Sequence, residues 1–436
     1  MNFTLQRRSL LQAGAAAGAL ATLPILAQGS AFNWKRYSGQ SIEAHLIKSP
    51  RGELLQRYAN EFEALTGIKV GIDLVPEQQS RQKVSIEFNS GKPSFDVVQF
   101  GYHVQKRQFT RGGWLQDLRP YIAEAGAEFD RGDLVPSAIA TAVEANGIWD
   151  GMPLNLDPFM LYMNKELFAA KGIAVPKTLV ELQGAAAKLH DPSRGVVGIV
   201  GRGLKNANVP LWGIFMLGAG GQYMNGGKLT TDSPEAIAGA TLYRDLLKNY
   251  GPAGISGFNW NEAQSLFLQG RAAMWIDSSG FSAPLEDPTK SRVVGKVGYA
   301  AVPAGSKKRV TATFSDGIGV SAYSANKGPA WYFVLWASGK AMQARLLSNG
   351  GGAPIRASGF TNKAELAKIN PEYLQALAES LRIAVPGLPV IEPVTEFRDT
   401  FGIALVNILN GGDPASELRK ATAEFQPVLN KSEARV

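Results

Sequence analysis

Between Ile42 and Val75 the chain reads IEAHLIKSPRGELLQRYANEFEALTGIKVGIDLV. Residues 42–47 have the apolar content of a strand. Leu54, Leu55, Tyr58, Phe62 and Leu65 then recur at helical spacing until Gly67 offers a stop. Ile68, Val70, Ile72 and Leu74 alternate with other residues up to Pro76, which predicts a second strand, and residues 95–100 predict a third. Strand, helix and strand in short succession are the pattern of α/β layering around largely parallel sheets. In open sheets of this kind ligands gather at the carboxyl ends of strands, which singles out Ser49-Pro50 and Gly101-Tyr102-His103 as ligand-side loops.

Further along, the texture changes. Ala/Leu-rich helices are expected around residues 161–170, 179–189 and 237–247, separated by glycine-rich loops such as Gly218-Ala219-Gly220-Gly221. Strands are expected at 272–276, 297–302 and 317–322, and a helix at 328–338. This second half reads as a second lobe, and no short repeat is visible.

The chain starts differently. Arg7-Arg8-Ser9-Leu10-Leu11-Gln12 precedes an apolar, Ala-rich run over residues 13–26 and the small residues Gly29-Ser30-Ala31. This order reads as a twin-arginine export signal over residues 1–31, with the mature chain starting near Phe32. The run is shorter than the roughly 20 apolar residues that span a bilayer, and no cysteine follows it to carry a lipid. The expected product is soluble, periplasmic and not a lipoprotein. With no cysteine in 436 residues, no disulfide staples the fold, so stability must come from a large apolar core.

Composition narrows the chemistry. The formal net charge is +8, and loss of Arg7 and Arg8 with the leader would make it about +6. The densest basic cluster, Lys307-Lys308-Arg309, sits beside Gly305 and Ser306 as a solvated loop, so no concentrated face for nucleic acid is visible. There is no Gly-x-Ser-x-Gly elbow, phosphate loop or His-Glu-x-x-His helix. With only His45, His103 and His190 and no cysteine, no metal site, other cofactor or catalytic set is expected. An exported glycoside-active enzyme using two carboxylates about 5–10 Å apart is the rival class.

Six segments in order now carry a resemblance. They include Phe95-Asp96-Val97-Val98, Gly113-Trp114-Leu115, Leu161-Tyr162-Met163-Asn164-Lys165-Glu166-Leu167-Phe168, Tyr250-Gly251-Pro252, Gly270-Arg271-Ala272-Ala273-Met274-Trp275-Ile276-Asp277 and Gly352-Ala353-Pro354-Ile355-Arg356. Together they resemble the extracellular solute-binding proteins of carbohydrate ABC importers, of the family 1 type. Arg81-Gln82-Lys83-Val84 and Gly201-Arg202-Gly203 are most similar to the polyol-binding members.

The resemblance implies a periplasmic-binding-protein-like fold: two α/β lobes around a ligand cleft, joined by a hinge that the chain crosses three times. Crossings are expected near Gly151-Met152-Pro153, near Val302-Pro303 and just after Arg356. They divide the chain into an N-terminal lobe of 32–152 plus 303–358 and a C-terminal lobe of 153–302 plus 359–436. The implied function is capture of a sugar or polyol by lobe closure, as a monomer, for inner-membrane ABC permease subunits. An anionic or other small solute is the alternative ligand.

Polyhydroxylated ligands need paired donors and acceptors, with aromatic faces against their C–H surface. The candidate ligand-binding residues are Tyr102, Asn155, Asp157, Arg202, Trp212, Trp275, Asp277, Asp316 and Arg356. Each has a plainer reading. Trp275 equally fits a core filler, Asp157-Pro158 a cap, Asp316-Gly317 a tight turn, and Arg202 and Arg356 bridges between lobes. Arg81 reads as structural, Asp96 as a strand brace, Trp331 and Trp336 as core, and His103 as a residue of either the cleft or the surface.

Overall fold

Strands alternate with helices, and their order splits them between two larger sheets. In chain order they are β1 (Ser41–Ile47), β2 (Lys69–Val75), β3 (Val97–Gly101), β4 (Met152–Pro153), β5 (Asp157–Asn164) and β6 (Met224–Asn225). There follow β7 (Lys228–Leu229), β8 (Met274–Ser278), β9 (Val297–Ala301), β10 (Thr311–Phe314), β11 (Asp316–Val320) and β12 (Ala384–Pro386). This computed structural model describes residues 32–143 and 147–433. The twin-arginine segment lies outside the described residues.

The first sheet runs β2-β1-β3-β11-β4 and the second β12-β10-β5-β8, with β9 also on β5. β6 and β7 form a separate hairpin. β1 pairs in parallel with β2 and β3, so the stretch from Ile42 to Val75 folds into the expected strand–helix–strand unit. Its helical part breaks at Tyr58 into Pro50–Arg57 and Ala59–Thr66, the latter ended by Gly67 in the left-handed region at φ 74°.

The sheets are less parallel than the sequence suggests. β11 runs antiparallel to β3 and β4, and β5 runs antiparallel to β8, β9 and β10. Residues 161–164 are also strand rather than helix. All eight residues of β5 are buried, and β8 flanks the strand on one edge and β9 and β10 on the other. Such a strand reads as a continuous apolar run. Helix begins only at Lys165, where the Asn164 side chain accepts from the Glu166 and Leu167 amides.

Sheet membership locates the passages between lobes. The chain leaves the first sheet at β4 and enters the second at β5, so Leu154–Leu156 links them. β10 belongs to the second sheet and β11 to the first, with Ser315 alone between them. Between Val302-Pro303, where a passage is expected, and Ser315 the chain adds another strand beside β5. The Arg356 guanidinium donates to the carbonyls of Phe129, Asp130 and Ser338. The helix Pro371–Arg382 instead packs on β5 and β9.

Each lobe buries its own aromatic core. Phe88 meets Phe95, Phe109 and Trp114 at 5.2–5.3 Å in the first. Trp212, Phe397, Phe401 and Phe425 interlock in the second. Asp96 braces the first sheet, accepting from the Glu43 amide at 2.9 Å and the Ser324 hydroxyl at 2.6 Å. Trp331 and Trp336 are core residues.

Candidate functional site

A cleft of about 440 Å³ opens between the lobes. Its first wall is built at the carboxyl ends of the parallel strands. Residues 48–51 follow β1, residues 76–79 and Arg81 follow β2, and His103 follows β3. The opposite wall carries Asp157 at the start of β5, Arg202, Trp260, Ser278 at the end of β8, Phe281 after it, and Arg398 on the helix Val394–Leu409. Asn155 and Ser315 lie in the linking segments, and Asp316 starts β11.

Arg51 ties these parts together. Its Nε donates to Asp316 Oδ2 at 2.6 Å, its Nη1 lies 3.5 Å from Asp157 Oδ2, and the same Nη1 donates to the Gly351 carbonyl at 3.2 Å. Asp157 is held by the Ser279 hydroxyl at 2.9 Å and the Gly280 amide at 2.8 Å. A Cβ at Gly280 would approach both Asp157 and Arg51 to 3.1–3.2 Å, so this turn must be small. Burial raises the Asp316 carboxyl from its ordinary value, and Arg51 opposes the rise. Asn155 Oδ1 accepts from the Asp316 amide at 2.9 Å, and its buried Nδ2 has no hydrogen-bond partner.

A second cluster adjoins it. Arg202 clamps Asp277, with Nε at 3.0 and 3.1 Å from the two oxygens and Nη2 at 2.5 Å from Oδ1. Arg81 pairs with Glu77, whose carboxyl it holds below the ordinary value against the effect of burial. Burial, then Arg398 and Arg81, press His103 well below its ordinary value, so the imidazole is neutral at pH 7. Its ring sits edge-on to Phe314 at 4.7 Å.

The aromatic face is a staircase. Trp260 stacks on Phe281 at 4.6 Å and 16°, Phe281 lies parallel to Trp275 at 6.3 Å and 11°, and Trp275 stacks on Tyr162 at 4.7 Å. Only the first two rings line the cleft.

Asn155, Asp157, Arg202 and Asp316 thus come together at the cleft, and five other sequence candidates do not. Trp275 is fully buried behind Phe281, and Asp277 is fully buried behind Arg202. Trp212 is a core ring that donates to the Ala236 carbonyl and stacks on Phe401. Tyr102 is buried beneath Gly317, where a Cβ would come within 2.0 Å of its ring. Arg356 is enclosed by first-lobe carbonyls. Arg81, by contrast, is a wall residue.

Sequence reasoning missed Arg51, Glu77, Trp260, Phe281 and Arg398. For Arg51 the signal was present, because it directly follows the ligand-side Ser49-Pro50. Trp260 and Arg398 sit on helices whose facing direction only packing decides.

One constellation outside the cleft imitates an enzyme. His45 lies 3.1 Å from Asp73 Oδ2 and 2.9 Å from Ser80 Oγ. Ser80 is only 2% exposed and is not part of the cleft wall. The trio fastens the helix Glu77–Asn89 to β1 and β2. Among the described residues no group of His, Cys, Asp and Glu is arranged to hold a metal ion, and no helix is long and apolar enough to cross a membrane.

Two α/β lobes contributing charged groups to a shared, ligand-sized cleft define a two-lobed binding receptor. The chain belongs to the bacterial extracellular solute-binding protein family, whose profile matches residues 48–344. It is 28% identical to the erythritol/L-threitol-binding protein of Mycolicibacterium smegmatis, over 95% of each chain. It is 26% identical to the mannitol-binding protein of Pseudomonas aeruginosa, over 90% of this chain and 87% of that one. Among solved structures, an ABC transporter solute-binding protein from Agrobacterium radiobacter in complex with ribitol superposes with a TM-score of 0.83. It is 27% identical, and the match covers 90% of this chain and 99% of that one.

Proposed function

We propose that this chain is the extracytoplasmic binding component of an ABC importer, which captures a small polyol or sugar by closure of its lobes and hands it unchanged to permease subunits in the inner membrane. The observation that carries this reading is the Arg51 cluster, in which one guanidinium of the first wall meets Asp157 of the second and Asp316 at the start of β11. Such groups satisfy vicinal hydroxyls, which donate and accept together. Trp260 and Phe281 supply the apolar face that a polyol's C–H groups require. Asn155, Asp157, Arg202 and Asp316, with Arg51, are the proposed direct contacts. Asp277 and Trp275 act behind them, as brace and base plate. The cleft volume of about 440 Å³ falls low in the range of about 300–1,000 Å³ for small-molecule sites, which favours a short ligand over a long oligosaccharide.

Sheet membership supports lobes of 34–153 plus 316–366 and 157–314 plus 371–433 as part of this proposal. A ligand touching both walls favours the closed state, and about 5.5 kcal/mol of differential affinity moves a population from 1:99 to 99:1. Export through a twin-arginine leader and action as a periplasmic monomer belong to the same proposal. The test is calorimetric titration of the purified protein with four- to six-carbon polyols and their parent sugars, with recovery of the ligand. Saturable binding of an unaltered polyol supports the reading; turnover, or no response to any of them, overturns it.

A further inference from the structure

The four arginines of the cleft are faced by four carboxylates, but two of these meet Arg51, and the uneven pairing leaves one arginine without a carboxylate contact. Arg51 is met by Asp316 and Asp157, Arg202 by Asp277, and Arg81 by Glu77. Arg398 is only 5% exposed and lines the cleft. Its Nε donates to the Asn206 carbonyl at 3.2 Å, but its Nη1 is a buried donor with no hydrogen-bond partner. The adjacent carboxylate, Asp399, is engaged by Asn206 Nδ2 and Lys205.

Arg398 also has the wrong neighbours for a structural cation. Burial first, then Arg81, lowers its pKa to about 9, with Glu77 opposing and Arg202 adding to the fall. It therefore stays charged at neutral pH, beside two other guanidiniums that already have carboxylates of their own. A buried charge left in that state is costly unless something pairs with it. A neutral hydroxyl would satisfy the hydrogen bond and leave the charge. A carboxylate would answer both, through charge-assisted hydrogen bonds.

Resting on the reading of the cleft as a receptor for polyhydroxylated ligands, we propose that its preferred ligand is a polyhydroxy acid, a short hydroxylated chain ending in one carboxylate that pairs with Arg398. Arg81 stands on the first wall and Arg202 and Arg398 on the second. An anion seated among them therefore draws both lobes together, and the hydroxyls are left to Arg51, Asp157 and Asp316.

Matched pairs test this: ribitol against ribonate and mannitol against mannonate, titrated into the purified protein by calorimetry at low and high salt. The acid is expected to bind at least tenfold more tightly than its polyol, a difference of about 1.4 kcal/mol, with the margin shrinking as salt rises. Arg398→Met should collapse the acid-to-polyol ratio towards one, and Arg398→Lys should keep most of it. Melting curves check that both variants fold; if the Met variant does not, the wild-type pairs and the Lys variant still decide. A polyol that binds as tightly as its acid overturns the inference and leaves the receptor reading intact. If no member of either pair binds, both fall.

Discussion

Replacing Trp275 with alanine should unfold rather than unbind. The indole is fully buried, stacked on Tyr162 at 4.7 Å and flanked by Phe267 at 5.9 Å and Phe281 at 6.3 Å. A ring of this kind buries about 150–250 Å², and at about 25 cal/mol per Å² that is about 4–6 kcal/mol, part of which the remaining Cβ retains. The expected cost is therefore about 3–5 kcal/mol, in line with other Trp→Ala changes in cores. For a lobe of this size each kcal/mol shifts the melting temperature by about 2–4 °C, so a fall of about 6–20 °C is expected. Trp260→Ala is the control. Its part-buried ring loses one stacking partner, worth about 0.5–1.5 kcal/mol, yet it opens the cleft's apolar face. Its loss should appear mainly in affinity. Circular-dichroism melts and calorimetric titration of both variants separate the two roles. A Trp275→Ala protein that melts like the wild type but no longer binds would refute the assignment of this ring to the core.

Asp277→Ala should lower affinity at least tenfold, because Arg202 loses its clamp and relaxes from the wall; titration beside a far-UV spectrum tests this. Arg356→Met should cost about 3–5 kcal/mol of stability, since it strips donors from buried carbonyls, and should leave affinity for the ligand unchanged in titration. Acid should weaken the fold through two imidazoles. Burial is the largest cause holding His45 and His103 below their ordinary value. Above about pH 6.5 they are neutral whether folded or unfolded. Below it the unfolded chain takes up protons that the folded chain resists, so stability falls as pH drops through that window. Denaturant titrations at stepped pH should show this decline, reduced in a His103→Gln variant.

The local units of the fold were legible because each announces itself by periodicity. The unit from Ile42 to Val75 shows its alternation and its stop at Gly67, and the helix Leu179–Leu189 forms where its spacing predicts. The direction of strands in the second sheet was not legible. A run such as Asp157–Asn164 is equally apolar whether its neighbours are parallel or antiparallel, and pairing partners more than a hundred residues away decide. The return at Ser315 was hidden for the same reason, since a strand was expected only at 317–322, and Thr311–Phe314 joins the other sheet. At the site, residue type pointed to the right chemistry and often to the wrong layer. Asp277 and Trp275 carry the polar and aromatic character expected of ligand contacts, but act one step behind Arg202 and Phe281. Alternation along a strand says that two residues face opposite sides; it does not say which side opens to solvent.

The most direct test of the cleft as the capture site is a crystal structure of the protein grown with ribitol at saturating concentration. The account predicts a single ribitol between the walls, hydrogen-bonded to Arg51, Asp157 and Asp316 and resting against Trp260 and Phe281. Ribitol bound elsewhere on the molecule, or held in the cleft by one lobe alone, would contradict it.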